Sequence, residues 1–371
     1  MLSNTFNLGT PMKQLCFSFF ISLFLTCTPH IVADEKPLDF SKPVKVYILL
    51  GQSNMFGFGK IEGPETRGTL EYITQKEGKY KNILDKNGKW AVRKDVRFVH
   101  VMQGKGKNGK FNVLRNEWLT VGGNAEDAKG PFQSVGPELQ MGHLLGDYHE
   151  EPVLILKACI GNRSLGWDYL PPGSEPYEYR GTFHAGYRNT GNWTRSEQPK
   201  TAWKSGAWYA GKQYDDDTNN SKAVLANLEK FFPGAKSYEI VGFAWWQGHK
   251  DTGNKVHAMR YEVNLVNFIK ALRKDFKVPK AKFALATIAF GGRKIAGNGL
   301  TIVKAQLAVD GAKGKYPEFK GNVKAVDARR LWQPSRRSPG GGGHHYNGNA
   351  LTYMDIGNVL GKAMIELHEI K

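Results

Sequence analysis

A serine that attacks an ester needs an exposed hydroxyl, a base to take its proton and donors for the developing oxyanion. Ser53 stands in Gly51-Gln52-Ser53-Asn54-Met55, directly after the apolar run Val44-Lys45-Val46-Tyr47-Ile48-Leu49-Leu50. A buried strand ending in Gly-x-Ser puts the serine on a sharp turn into a helix, with its own N–H free to face a reacting carbonyl. The base can come from His344 or His345, in His344-His345-Tyr346-Asn347-Gly348-Asn349-Ala350 near the end of the chain. Adjacent histidines also suggest a metal, but no acidic or cysteine partner stands at ligand spacing, so neither metal nor organic cofactor is expected. Cys159 lies in the apolar run Leu154 to Ile160 and reads as a buried, inert thiol.

Those groups must be positioned by a scaffold. Five apolar runs read as buried strands: Val44 to Leu50, Leu154 to Ile160, Ile240 to Trp246, Phe283 to Ile288 and Val323 to Val326. Helical stretches lie between and after them: Gly136 to Leu145, Ser221 to Phe232, Val256 to Phe276 and Ile356 to His368. This alternation predicts an α/β fold, a three-layer α/β/α sandwich around a central parallel sheet of about five strands. In such sheets the site lies beyond the carboxyl ends of the strands, where the Gly-bearing turns fall. Two segments break the pattern. Residues 59–124, rich in Lys and Gly, read as hairpins over the sheet. Residues 165–220 form a long aromatic loop holding Trp167, Tyr169, Tyr177, Tyr179, Phe183, Tyr187, Trp193, Trp203, Trp208, Tyr209 and Tyr214. Some of these aromatics are expected to stack on sugar rings and the rest to pack the loop.

The serine block after its strand resembles the first block of the SGNH hydrolases, in the branch of sialate O-acetylesterases and the acetylxylan esterases of carbohydrate esterase family six. The resemblance runs in block order from residue 44 to 367. It implies a flavodoxin-like fold and a serine esterase that removes acetyl groups from a carbohydrate. His345 is then the base, since the His-Tyr pair fits the family pattern better than His344. Gly161-Asn162-Arg163-Ser164 resembles the Gly-Gly-x-Ser block and Trp245-Trp246-Gln247-Gly248 the Gln block. The oxyanion donors implied are the N–H groups of Ser53 and Gly161 and the amide of Gln247. Gln52, Asn54, Asn162, Trp167 and Trp246 are the expected substrate contacts. One departure stands out. The superfamily often carries an aspartate three residues before the histidine, where this chain has Gly342. Asp251, in Gln247-Gly248-His249-Lys250-Asp251, and Asp327, after the fifth strand, are the substitute acids, with Asp251 favoured.

The N-terminus reads as a secretory signal over residues 1–33: Met12-Lys13, an apolar run from Leu15 to Leu25, then Ile31-Val32-Ala33 before Asp34. A lipoprotein anchor through Cys27 is the weaker reading, because Phe24-Leu25-Thr26 lacks a small residue just before the cysteine. The esterase domain is then 36–371, secreted or periplasmic and without a membrane anchor once the signal is removed. Of three cysteines, Cys16 and Cys27 lie in the leader, so no intramolecular disulfide is expected in the mature chain. The net charge of +18 has its lysines spread rather than striped, which favours an acidic, acetylated poly- or oligosaccharide as partner over nucleic acid. Two other functions fit the same residues. One is a carbohydrate-binding protein on a catalytically decayed esterase fold, and the other a lipase- or thioesterase-like acyl hydrolase.

Overall fold

The computed structural model describes residues 38–102, 112–122, 134–197 and 208–370. The expected leader, with Cys16 and Cys27, lies outside the described residues, and so does Trp203. The chain divides after Asp34, and the unit beginning at Glu35 carries everything described below.

Seven strands form one sheet. They are β1 (Val44–Gly51), β2 (Arg93–Met102), β3 (Asn112–Leu119), β4 (Val153–Cys159), β5 (Tyr238–Trp246), β6 (Lys282–Ala286) and β7 (Val323–Val326). Their spatial order is β7-β6-β5-β1-β4-β2-β3, parallel throughout except for the antiparallel edge strand β3. All five expected strands are present. The expectation for residues 59–124 is corrected: β2 and β3 do not lie over the sheet but extend it, β2 pairing with β4 from Val96↔Val153 to Val101↔Ala158. The alternation in Val96, Phe98, Val99 and Val101 was masked in sequence by interleaved Arg and His.

Helices cover both faces. On one lie α3 (Lys212–Ala226), α4 (Lys255–Asp275) and α5 (Gly297–Ala308); on the other lie α2 (Glu138–Tyr148) and α6 (Ala350–Glu369). Each face has its own apolar core. Ile48, Leu156, Phe243 and Leu285 meet Tyr214, Leu265 and Phe268, while Tyr47, Leu49 and Ile155 meet Leu139, Met141 and Leu360. Alternate residues of β1 thus serve opposite layers, the period-two rule of a strand buried on both sides. Helix α3 starts well before the expected Ser221, inside the supposed loop. That loop also contains a small antiparallel sheet over Tyr177–Tyr179, Thr182–His184 and Trp193–Thr194. Among the described residues no helix is long and apolar enough to cross a membrane.

Candidate active site

Register brings three chain segments to one point. At the end of β1, Gly51 lies beside Trp246 of β5 and Cys159 of β4. The residues that follow these three, Gln52-Ser53, Ile160-Gly161 and Gln247, therefore emerge together at the carboxyl edge. Gly51 itself is required there. Its φ is +155°, and a Cβ would stand 2.4 Å from the carbonyl oxygen of Trp246. The turn continues into the four-residue helix α1 (Ser53–Phe56), with Gly57 N–H closing it on Ser53 O.

Gly161 faces the serine: a Cβ built on it would lie 3.6 Å from Ser53 Cβ. Among the described residues no hydrogen bond occupies the Gly161 N–H. Asn162 follows in the left-handed region at φ 59°, which asparagine tolerates, and is exposed. Gly161→Ala should fold normally, because this glycine's φ is not positive and the new methyl meets only ordinary contacts. The methyl would nevertheless occupy space in front of Ser53. A melting temperature within about 2 °C of wild type with kcat/KM down about tenfold or more is expected; an unchanged rate would remove Gly161 from the site.

Gln247 is placed differently from expectation. Its Nε2 donates to Asp251 Oδ2 at 2.7 Å and to the Arg163 carbonyl at 2.8 Å, with Gln52 Oε1 at 3.2 Å, while its Oε1 accepts from Tyr261 at 2.8 Å. A primary amide has two N–H bonds, and both are engaged. Gln247 thus holds the loops of the oxyanion region and offers no free donor. Asp251 is corrected on the same grounds. Fully buried, it accepts from the Leu165 and Gly166 N–H groups at 2.9 and 2.8 Å as well as from Gln247, and burial raises its carboxyl to about 6. It braces the segment after β4 rather than reaching His345. Asp327 is paired instead with the Arg329 guanidinium, which holds its carboxyl below the usual range. Neither acid hydrogen-bonds His345.

His345 is oriented by other means. Its ring stacks on Phe58 with centroids 3.9 Å apart and planes 8° from parallel, and His344 lies 4.1 Å away on a tilt. Its N–H donates to Gly342 O at 2.8 Å, and the Tyr353 hydroxyl donates to its carbonyl at 3.2 Å. Tyr353 also reaches Asn54 Oδ1 at 3.3 Å, so one buried hydroxyl ties the Ser53 helix to the His345 loop. Burial first, then the neighbouring His344 and His249, push the His345 imidazole down to about 4.

The expected substrate contacts divide. Asn162 is exposed beside Ser53, and Trp167 is half-buried against Leu170, Ala185 and Ala210. Gln52, Asn54 and Trp246 are corrected: they are 1 %, 2 % and 0 % exposed and present no surface to a sugar. Gln52 Oε1 accepts from Lys250 N–H at 3.1 Å, and Trp246 is the floor on which Tyr346 stacks. In the 165–220 segment, Tyr169, Trp193, Tyr209 and Tyr214 are buried. Tyr169 donates to the Gly51 carbonyl at 2.7 Å and so braces the serine turn. Trp208 is exposed, with Arg163 4.5 Å above its ring. Sequence reasoning missed a cavity of about 600 Å³ beside His344, walled by Phe290 and Trp332. Its lining comes from the segments after β5, β6 and β7, and its walls Phe290 and Trp332 lie in stretches that no motif marked.

The model of one family, described as carbohydrate esterase, sialic acid-specific acetylesterase, matches residues 43–366. The chain belongs to this family. The esterase has no match among curated proteins. Similar solved structures include a protein from Arabidopsis thaliana at 16 % identity, covering 89 % of this chain and all of that one, with a TM-score of 0.48. A carbohydrate acetylesterase from Xanthomonas citri is 12 % identical with a TM-score of 0.48; the match covers 86 % of the esterase but 55 % of that chain. NanS is 14 % identical over 89 % of this chain and 99 % of its own, with a TM-score of 0.45.

Proposed function

We propose that the esterase removes O-acetyl groups from a glycan outside the cytoplasm, with Ser53 as nucleophile and His345 as base. The observation that carries this reading is the convergence of Ser53 and Gly161 at the ends of adjacent parallel strands, where Gly161 stands against Ser53 and its N–H has no hydrogen bond among the described residues. Ser53 Oγ attacks the acetyl carbonyl while His345 takes its proton. The Ser53 and Gly161 N–H groups stabilise the oxyanion, His345 gives the proton to the departing sugar oxygen, which leaves as a hydroxyl, and water then releases acetate from the serine. Asn162 is the proposed side-chain contact to substrate. The net charge of +18 favours an acidic glycan.

The test is hydrolysis of p-nitrophenyl acetate, butyrate and octanoate across pH 3 to 8. Acetate is expected to be preferred; preference for octanoate would favour a lipase-like hydrolase. The base must be neutral to accept a proton. With His345 lowered from 6.5 to about 4, it stays neutral until the pH falls through about 4. The acid limb of kcat/KM should therefore lie near 4, and a limb near 6.5 would contradict this environment for the base.

A further inference from the structure

We infer that the cavity beside His344 is a subsite for a negatively charged sugar residue neighbouring the acetylated one, so that the esterase works on an anionic chain rather than on a single sugar. The inference rests on the Ser53–His345 reading above. The cavity, about 600 Å³, is within the range of small-ligand sites and has aromatic walls in Phe290 and Trp332. It is joined to the site through His344, which forms its near wall and is followed in the chain by His345. His249 stacks on His344 at 5.6 Å and meets Phe290 edge-on at 4.9 Å, which closes that side. Asn298 uses its Nδ2 on the Thr252 carbonyl at 2.9 Å, leaving its oxygen as an acceptor for a sugar hydroxyl.

The charge of the lining segments selects the ligand. They are residues 249–252, 290–299 and 332–347, and together they hold Lys250, Arg293, Lys294, Arg336 and Arg337, all exposed. Their only acidic residue is Asp251, which is fully buried and bonded elsewhere. Just outside these stretches Asp327 is paired with Arg329 and feels Arg293 as well. Five exposed cations interleaved in the chain with the lining residues, beside aromatic walls, fit a sugar ring bearing a carboxylate or sulfate. A neutral acetylated chain would gain the stacking but not the charge.

The experiment has two arms. In the first, Ser53→Ala protein, which cannot turn over, is titrated by calorimetry with unesterified tetragalacturonate, a sulfated galactose tetramer and xylotetraose. The anionic oligomers should bind at least tenfold more tightly than xylotetraose, with the preference shrinking as NaCl rises from 20 to 500 mM. The carboxylated and sulfated ligands separate the two kinds of charge. In the second, kcat/KM on acetylated polygalacturonate is divided by that on p-nitrophenyl acetate. Trp332→Ala and the double variant Arg293→Gln/Arg336→Gln should each lower this ratio about tenfold. Equal binding of xylotetraose, or ratios at the wild-type value in both variants, would overturn the subsite. Loss of the esterase reading itself would show separately, as wild-type hydrolysis of p-nitrophenyl acetate no faster than Ser53→Ala.

Discussion

Ser53→Ala is expected to lower kcat on p-nitrophenyl acetate by about 10⁴-fold or more while leaving the melting temperature within about 2 °C. The side chain is 6 % exposed and its hydroxyl makes no hydrogen bond among the described residues, so its loss strands no buried partner among them. About 10⁴ in rate is about 5.5 kcal/mol of barrier, which only removal of the attacking atom or its base can account for here. His345→Ala should match it within an order of magnitude, since nucleophile and base act as a unit. His344→Ala, whose ring faces His249 and the cavity, should cost about tenfold or less. Steady-state rates on the three purified variants decide this. A His344→Ala loss as deep as that of Ser53→Ala would move the base by one residue, and an active Ser53→Ala would end the serine mechanism. The proposed base has an unusual support. Where an orienting carboxylate would both fix the ring and stabilise the imidazolium, Phe58 offers a parallel face at 3.9 Å. That face can do both in part, at about 0.5–2 kcal/mol for a cation over an aromatic ring.

Glu138→Gln is expected to destabilise the fold by about 3–5 kcal/mol, because it leaves a buried lysine without its counter-ion. Lys157 projects from the middle of β4, is wholly buried, and is bonded to Glu138, the first residue of α2. The same ammonium donates to the Phe56 carbonyl at 3.0 Å, at the last residue of α1. A strand, a helix of one face and the serine turn are therefore joined through one charge, and stability and rate should fall together. At about 2 °C per kcal/mol for a chain this long, the melting temperature should drop by about 5–10 °C. The double variant Glu138→Leu/Lys157→Met removes both charges and should recover most of the loss, whereas purely local packing damage would make it worse than either single change. A scan showing Glu138→Gln at the wild-type melting temperature would mean that the pair is not buried as described.

How much of this could be read from residues alone follows from the range over which each feature is decided. Runs such as Val44 to Leu50 and Ile240 to Trp246 are apolar because both faces of a central strand are covered, so a few consecutive residues carry the whole signal. The turns that carry Ser53, Gly161 and the histidine pair could be placed for a related reason: each ends a strand or precedes a helix, and a parallel sheet sends every such turn to one edge. Strand β2 was hidden because Arg93, Lys94, Asp95, Arg97 and the buried His100 interrupt an apolar run that serves both faces of the sheet.

The polar assignments were the ones that could not be read locally. Whether Gln247 offers an N–H to an oxyanion depends on how many acceptors other segments bring to it, and Arg163, Gln52 and Asp251 bring three. Asp251 stands in a motif that suggests catalysis, yet two backbone N–H groups from the loop after β4 claim its carboxylate. Trp246 is an aromatic at a strand end, where a sugar platform is plausible, but Tyr346 and Tyr353 cover it completely. Hydrophobic burial is a property of residue type and spacing, and so the chain's order of residues was enough for the scaffold. Hydrogen bonds in a buried site are shared among a fixed number of donors and acceptors, and only folding decided which distant residues took them.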